Sequence, residues 1–391
     1  MKKDPSSPAG QAGSSGDDLV HLLALAFAND VGPMTARRLL AAFGSPRTIF
    51  EASLPELESV GQISASRAHG IKEFDGWDKV TREIAAARER GIAVVPFTDA
   101  AYPGPLKQLD DAPIILYIKG TLREEDRYAI AIVGSRDMTD YGRKTAENLA
   151  FDLAARGLTV VSGMARGIDT VSHRGALRAG GRSIAVLGCG LDRPYPSENK
   201  RLFTELCDAG AVISEFPLGA PPLRENFPRR NRLISGLALG VVVVEATMDS
   251  GSLITAQYAL DQGKDIFAVP GNISIPNAEG TNSLIRKGAR LVQRADDIIE
   301  ELAPVLRGLL RSGSSGRSEK KTAPRRFDAA AGLEISDEEK AICTVLGDQP
   351  KHVDTIAREL KIAPPKLLGL LLRLEIKGIV RQTEGKNFYI L

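Results

Sequence analysis

The chain has 391 residues, 43% of them apolar, and a formal net charge of +2 at pH 7, which is typical of a soluble globular protein with two or three domains. A net charge this close to zero excludes a globally basic protein, so binding of nucleic acid would need a local basic face. Three cysteines without CxxC spacing and four scattered histidines argue against a disulfide framework and against a metal site. No signal-peptide core and no run of about 20 apolar residues is present, so a cytoplasmic protein without membrane contact is expected.

The N-terminal quarter of the chain divides into a tail and a helical region. Residues 1–18 are rich in Ser, Gly and Pro, which predicts a disordered tail. Helical spacing then predicts a SAM or helix-hairpin-helix-like domain over residues 19–90, with glycine hairpins at Val31-Gly32 and Val60-Gly61. Such hairpins can contact phosphate through backbone N–H groups, but the second carries little positive charge. Packing or protein contact is therefore favoured over DNA contact.

From Gly91 onward, short runs of Val, Ile and Leu alternate with helical patterns. The predicted strands are Ala129–Val133, Leu158–Val161, Ser183–Leu187, Ala211–Ser214, Gly240–Val244, Asp265–Val269 and Ala289–Val292. This alternation predicts an α/β domain over residues 91–305, with a Rossmann-like, doubly wound, mostly parallel sheet. Ligands of such sheets bind beyond the carboxyl ends of the strands.

The stretch Thr159–Leu177 reads as a strand, a glycine turn and a helix. Such a turn presents backbone N–H groups at a helix N-terminus, where an anion is stabilised. Arg166, within the turn, adds a permanent positive charge that suits a phosphate, and Gly167 follows it.

Other predicted strand ends carry the same residue types. They read Gly134-Ser135-Arg136, Ser162-Gly163, Gly188 to Asp192, Asn226 to Arg232, Ser250-Gly251-Ser252 and Pro270-Gly271-Asn272. Because parallel strands bring these loops to one edge, an anionic ligand is predicted there.

Nucleotide cofactors fit less well. The Gly-Lys adjacency of a P-loop is absent at Tyr141 to Thr145, and Arg193 replaces the third glycine of a dinucleotide fingerprint that begins at Gly188. No cofactor is therefore expected.

Candidate catalytic groups are few. They are Glu215, Glu245 and the pair Asp169 and His173, four residues apart on a helix. A structural polar pair is favoured over a catalytic one, because no serine or cysteine is visibly paired with the histidine. Glu245 could instead orient Arg230 or Arg232.

The C-terminal part changes in character. Residues 306–333 are basic and rich in Gly and Ser, which predicts a flexible linker. Residues 334–391 predict a winged-helix domain: a capping box at Ser336 and Glu339, two further helical patterns and a terminal hairpin. The second of these patterns, KLLGLLLRLEIKG, has few basic side chains, so protein contact or weak DNA binding is expected.

Several runs together resemble the DNA-processing protein A family (DprA, also called Smf). They are IVGSR, SGMARGIDTVSHRGAL, SIAVLGCGLDRPYPSENKRL, FPRRNRLISGL, VVVVEATMDSGSLITAQYAL, IFAVPGNI and GTNSLIRKGA. Ser172 departs from the alanine usual in the family. The resemblance implies a non-enzymatic protein that binds and protects incoming single-stranded DNA in natural transformation. It also implies loading of the RecA recombinase and a homodimer formed through the Rossmann-like domain.

The resemblance also implies a DNA groove. Its residues would be Gly134, Ser135, Arg136, Ser162, Gly163, Arg166, Gly167, Lys200, Arg229, Arg230, Asn231, Arg232, Ser250, Gly251 and Ser252. Phe227, beside the arginines, is either a base-stacking residue or a core residue that holds the loop. The alternative function is a nucleotide sensor or a nucleoside-phosphate hydrolase on a related Rossmann-like domain.

Overall fold

A computed structural model describes residues 16–312, 336–346, 350–377, 379–383 and 386–390. Its contacts divide the chain into two compact units. The first unit contains the described residues up to Lys119 together with Gly188–Arg193 and Ile213–Pro222, and the second contains the rest. Most of the predicted tail (1–18) and most of the predicted linker (306–333) lie outside the described residues.

The first unit begins with a series of helices, which confirms the predicted helical N-terminal region. Their bounds are Gly16–Phe27 (α1), Pro33–Phe43 (α2), Pro46–Glu51 (α3), Leu54–Ser59 (α4), Ala65–Lys72 (α5) and Trp77–Glu89 (α6). Short helices depend on capped first turns. Ser45 and Ser64 accept the backbone N–H three residues later, and Ser53 forms a capping box with Glu56.

A strand pair follows these helices in the same unit. The elements are Ala93–Pro96 (β1), Gly104–Lys107 (α7) and Ile115–Gly120 (β2). β1 and β2 are antiparallel, with Val94 opposite Tyr117.

The second unit is built on a mostly parallel sheet, which confirms the predicted Rossmann-like fold. The strands are Ala129–Val133 (β3), Thr159–Ser162 (β4), Ser183–Leu187 (β5), Ala211–Ser214 (β6), Gly240–Val243 (β7), Asp265–Ala268 (β8) and Arg290–Leu291 (β9), with only residues 211–212 of β6 belonging to this unit. Their order is β6-β5-β4-β3-β7-β8-β9. β3 is parallel to β4 on one side and to β7 on the other, so the strand order reverses at β3. The carboxyl end of β3 is therefore where a ligand crevice is expected.

Helices connect these strands. They are Asp140–Ala155 (α8), Ile168–Arg178 (α9), Lys200–Ala209 (α10), Asn226–Leu237 (α11), Gly251–Asp261 (α12), Pro276–Arg286 (α13) and Ala295–Ser312 (α14), with short 3₁₀ turns at Glu124–Arg127 and Ser197–Asn199. The central core joins β3, β4 and β7 to α8 and α14 through fully buried side chains such as Ile130, Leu153 and Ile298. None of the helices in the described ranges is long and apolar enough to cross a membrane.

Two helix boundaries differ from the predicted ones. α11 begins at Asn226, within the segment Asn226 to Arg232 that was predicted as a strand end, because Pro228 lies in its first turn, where a missing N–H costs nothing. The arginine run is thus helical and not part of a loop. α14 continues to Ser312, past the predicted start of the linker at residue 306.

The C-terminal residues form the predicted winged helix. Its elements are Asp337–Val345 (α15), Lys351–His352 (β10), Val353–Leu360 (α16), Pro364–Ile376 (α17), Val380–Thr383 (β11) and Asn387–Ile390 (β12). The capping box of Ser336 and Glu339 is present. β10 adds a third strand to the predicted hairpin, in the order β10-β12-β11. Ile342, Leu371 and Phe388 lie in a separate core of this domain.

Candidate nucleic-acid interface

The loop after β3 is fixed by the neighbouring strand end and helix. The Ser135 N–H donates to the Glu245 carbonyl at 2.7 Å, and the Ile168 N–H donates to the Ser135 carbonyl at 3.1 Å. A Cβ at Gly134 would lie 2.7 Å from the Ile168 side chain, so only glycine fits. Arg136 follows on the surface. The loop therefore holds an exposed arginine on a rigid support.

The glycine turn after β4 is held by hydrogen bonds from its own backbone to a side chain of the following helix. The Asp169 carboxylate accepts the N–H groups of Gly163 at 3.1 Å and Ala165 at 3.3 Å. Gly167 has a φ of 76°, and a Cβ there would lie 2.2 Å from the Ser135 carbonyl oxygen. The sequence predicted that N–H groups of this turn bind an anion, and two of them are instead bonded to Asp169. What the turn exposes is Arg166.

Asp169 and His173 have separate partners. The His173 ring Nδ1 lies 2.7 Å from the Ser183 hydroxyl, which itself donates to the Val160 carbonyl, so Nδ1 is the donor. Burial, with the charge of Arg230, lowers the pKa of His173 to about 3. Burial also raises the pKa of Asp169, against the opposing charge of Arg230. Both side chains serve the interior of the fold, which supports the structural interpretation.

The arginine run on α11 is mostly interior. Arg230, Asn231 and Arg232 are 4%, 8% and 5% exposed. The Arg230 guanidinium donates to the carbonyls of Gly163, at 2.6 Å, and of Val186, at the ends of β4 and β5. Arg230 therefore holds two strand ends together.

The remaining residues of this run differ among themselves. The Asn231 side chain donates to the Gly251 carbonyl at 3.2 Å, and the Arg232 carbonyl accepts from Gln262 at 3.0 Å. Arg229 is exposed. Of the four residues predicted to contact DNA here, the structure places one at the surface.

The other predicted contacts are also divided between surface and interior. The Ser162 hydroxyl is buried and donates to the Ile132 carbonyl at 2.6 Å. Ser250 caps α12: its hydroxyl accepts the Ser252 N–H at 3.3 Å, while Gly251 is exposed and Ser252 is buried. Lys200, by contrast, is exposed at the start of α10.

Glu245 caps a helix. Its carboxylate, 5% exposed, accepts the N–H of Thr139 at 2.9 Å and the Thr139 hydroxyl at 2.5 Å, at the start of α8. A Cβ at Gly142 would lie 2.3 Å from this carboxyl group. The structure thus assigns Glu245 to α8, in place of the predicted role of orienting Arg230 or Arg232.

Two of the predicted strand ends belong to the first unit: the segment Gly188 to Asp192 and the one that contains Glu215. The Gly190 N–H donates to the Ala220 carbonyl at 3.0 Å, and the Cys189 thiol donates to the Arg193 carbonyl at 3.2 Å. Glu215 also lies in this unit. Among the described residues, no group of three His, Cys, Asp or Glu side chains is placed to hold a metal.

Four surface side chains of the second unit form a contiguous group, here called the cation–aromatic cluster: Arg136, Phe227, Tyr195 and Arg166. The Arg136 guanidinium lies 5.4 Å from the centroid of the half-buried Phe227 ring. The Tyr195 ring, 41% exposed, lies 5.8 Å from that centroid. Arg166 forms an ion pair with Glu198, which raises its pKa; Tyr195 contributes less to this shift. The cluster thus offers two cations and two rings to one ligand.

Asn199 positions this cluster. Its side chain, 3% exposed, donates to the Met164 carbonyl at 3.0 Å and to the Thr170 hydroxyl at 2.8 Å. These bonds hold the segment before α10 against the glycine turn, where Glu198 pairs with Arg166.

Comparisons with known proteins identify the family of this chain. The family model of DNA recombination-mediator protein A matches residues 93–303, and that of the DprA winged helix domain matches residues 324–386. The chain belongs to the DNA recombination-mediator protein A family. It is 40% identical to protein Smf of Escherichia coli strain K12 over 293 residues, which is 75% of this chain and 76% of the relative.

Two solved structures of the family are similar to this chain. DNA processing protein A from Streptococcus pneumoniae superposes with a TM-score of 0.64 and 34% identity over 72% of this chain and 97% of that one. DNA processing protein A from Helicobacter pylori, described for its single-stranded DNA binding mode, superposes with a TM-score of 0.50 and 30% identity, over 55% and 96% of the two chains.

Sequence reasoning missed Tyr195 and Asn199. Both lie in the run RPYPSENK, which contributed to the family resemblance but of which only Lys200 was predicted to contact DNA. An aromatic residue between two prolines in a loop was the available signal, because the prolines limit how far the ring can turn into a core.

Proposed function

We propose that this chain binds single-stranded DNA at the carboxyl ends of β3 and β4. The observation that carries the proposal is the cation–aromatic cluster, together with exposed Lys200. Single strands are held by positive side chains that neutralise phosphates and by rings on which bases stack. The single-stranded DNA binding mode described for the Helicobacter pylori relative supports the same ligand.

Direct contact is proposed for the exposed members of the predicted set. These are Arg136, Arg166, Lys200 and Arg229, with Phe227 as the stacking ring. The other members, which are buried or half-buried apart from the exposed Gly251, are proposed to act through the backbone they position. Gly134, Ser135, Ser162, Gly163 and Gly167 shape the loops, and Arg230, Asn231, Arg232 and the Ser250-Gly251-Ser252 cap hold α11, α12 and the strand ends.

The biological role proposed is that of a non-enzymatic recombination mediator. It would protect incoming single strands and load the RecA recombinase on them during natural transformation and homologous recombination. Membership of the family supports this role. The Glu245 carboxylate, one of the catalytic candidates, caps α8, which is one reason to favour binding over hydrolysis.

A homodimer through the central domain is proposed as well. Exposed apolar side chains on α12, before α13 and on the edge strand β9 support it: Leu260, Ile273 and Leu291 are 60%, 87% and 47% exposed. Light scattering should give twice the chain mass, and an Ile273→Asp variant should lower it.

The test is an oligonucleotide binding titration with the purified full chain. We expect tighter binding of a single strand than of the matching duplex, with log affinity falling by roughly 0.7 per phosphate contact per decade of salt. Arg136→Ala should weaken single-strand binding about tenfold, because it removes one phosphate contact and the counterion release that goes with it.

The matched control is Arg178→Ala, which removes an arginine that is 53% exposed and pairs with Glu147 away from the cluster. Equal affinity for duplex and single strand would contradict the proposal. Hydrolysis of free nucleotides that Glu245→Gln abolishes would favour the hydrolase alternative.

A further inference from the structure

Helix α17 carries apolar residues on two opposite faces. Its first face lies in the winged-helix core: Leu367, Leu370, Leu371 and Leu374 are at most 6% exposed. A second set follows the same helical spacing on the other side: Gly369 is buried, and Leu372, Arg373 and Ile376 are half-buried. A helix with apolar residues on both sides is buried on both sides by other parts of the protein.

The second face of α17 contacts the central domain. A Cβ at Gly369 would lie 3.3 Å from the backbone nitrogen of Gly157 and 3.5 Å from the Ala155 carbonyl oxygen, in the turn between α8 and β4. Ile376 packs against the central hydrophobic core. Both sides of the contact are glycines, so the two backbones meet closely, and a side chain larger than a methyl group at Gly369 would separate them.

The cations that flank this face are paired inside the winged helix. The Lys377 ammonium lies 2.6 Å from the Glu339 carboxylate, and the two side chains are 12% and 3% exposed. Lys366, at the start of α17, lies 2.5 Å from Glu338. A helix that reads the major groove needs polar or basic side chains on its outer face, and here that face is Gly, Leu, Arg and Ile.

We infer that α17 is a docking helix: the winged helix binds the α8–β4 turn of its own chain through the face that a DNA-reading winged helix inserts into the major groove. The same chain supplies both partners because α17 also contacts α14, the helix directly preceding residues 313–335. While docked, the winged helix has no recognition helix free for duplex DNA. This inference does not depend on single-strand binding by the cation–aromatic cluster.

Hydrogen–deuterium exchange of the full chain tests the docking. The reporters are the amides of Gly157 and Leu158, which donate to Ala154 at 3.0 Å and Leu153 at 3.1 Å. Gly369→Leu places a side chain against Gly157 and should raise exchange at these amides about tenfold. Amides of Leu370 to Leu374 should keep their protection, because the winged-helix core is untouched.

Two further variants make the result decisive. Pro365→Leu adds the same side chain at an exposed position of α17 and should change nothing. Ile376→Glu removes an apolar contact with the central core and should act like Gly369→Leu, even if the latter misfolds. Unchanged exchange at Gly157 in both docking variants would overturn the inference.

The partner and the DNA consequence are tested separately. Protection at Gly157 that is independent of protein concentration supports docking within one chain, and protection lost on dilution would overturn that assignment. Arg373→Ala should leave duplex affinity within twofold of the wild type. A tenfold loss of duplex affinity would show that α17 reads DNA after all.

Discussion

The cation–aromatic cluster and the outer face of α17 lie where their two folds take ligands in other proteins, yet they carry opposite chemistry. In the cluster, Arg136 and Arg166 are exposed to solvent, and hydrogen bonds to neighbouring buried segments fix the backbone of their loops. The face of α17 is apolar and packed against Gly157. A shared fold therefore does not indicate a shared role, and each surface has to be judged by its own side chains.

The interior support of the cluster should show the largest effect. Arg230→Met leaves the carbonyls of Gly163 and Val186 without their donor. We expect the free energy of unfolding to fall by roughly 3 kcal/mol, as for loss of a buried charged hydrogen-bond partner. Urea denaturation measures this, and Arg229→Ala, on the exposed side of the same helix, should stay within about 0.5 kcal/mol. Equal losses of stability in the two variants would show that Arg230 does not support the fold more than the exposed Arg229 does.

A pH titration of stability sharpens the same point. The pKa of His173 is about 3 in the folded chain and 6.5 when unperturbed. The unfolded chain therefore takes up a proton first, so stability is complete above pH 6.5 and falls as the pH drops toward 3. Between pH 7 and pH 5 this loss is about 2 kcal/mol. His173→Gln should remove that part of the slope, and identical slopes would show that His173 is not the group responsible.

The salt dependence of binding distinguishes base stacking from phosphate contacts in the cluster. Phe227→Ala should weaken single-strand binding about tenfold, because a stacked base contributes about 1–3 kcal/mol. Its salt slope should match that of the wild type, whereas the slope of Arg136→Ala should be smaller by roughly 0.7. A changed slope in Phe227→Ala would mean that the ring positions Arg136, its neighbour at 5.4 Å, and does not itself hold a base.

The smallest effect concerns the ion pair at the edge of the cluster. Glu198 is 49% exposed and pairs with Arg166. Because exposed pairs contribute at most about 1 kcal/mol, Glu198→Gln should leave stability nearly unchanged and tighten single-strand binding up to about threefold. Weaker binding in this variant would show that Glu198 orients Arg166 for DNA and does not compete with it.

Much of the fold could be predicted from local pattern. The strands β3 to β9 were predicted within one or two residues, because buried parallel strands are short continuous runs of Val and Ile between helical segments. The capping box at Ser336 was also found, since it depends on residues three apart. The start of α11 was missed because Pro228 is compatible with both a loop and a first helical turn.

The site could be predicted only as a set of residue types at strand ends. Sequence reasoning treated Arg229 and Arg230 alike, and the structure separates them by burial. The reason is that neighbours on a helix point in directions about 100° apart, so one faces solvent and the next faces β4 and β5.

The sequence by itself determined the α/β alternation, the glycine and arginine content of the strand ends and the presence of a winged helix, since these follow from local spacing and turn chemistry. Only the tertiary structure decided which arginines are exposed, that Asp169 accepts two N–H groups of the glycine turn, and that α17 faces Gly157. Those outcomes depend on which distant segments pack together, because burial and hydrogen-bond partners are set by contacts far apart in the chain.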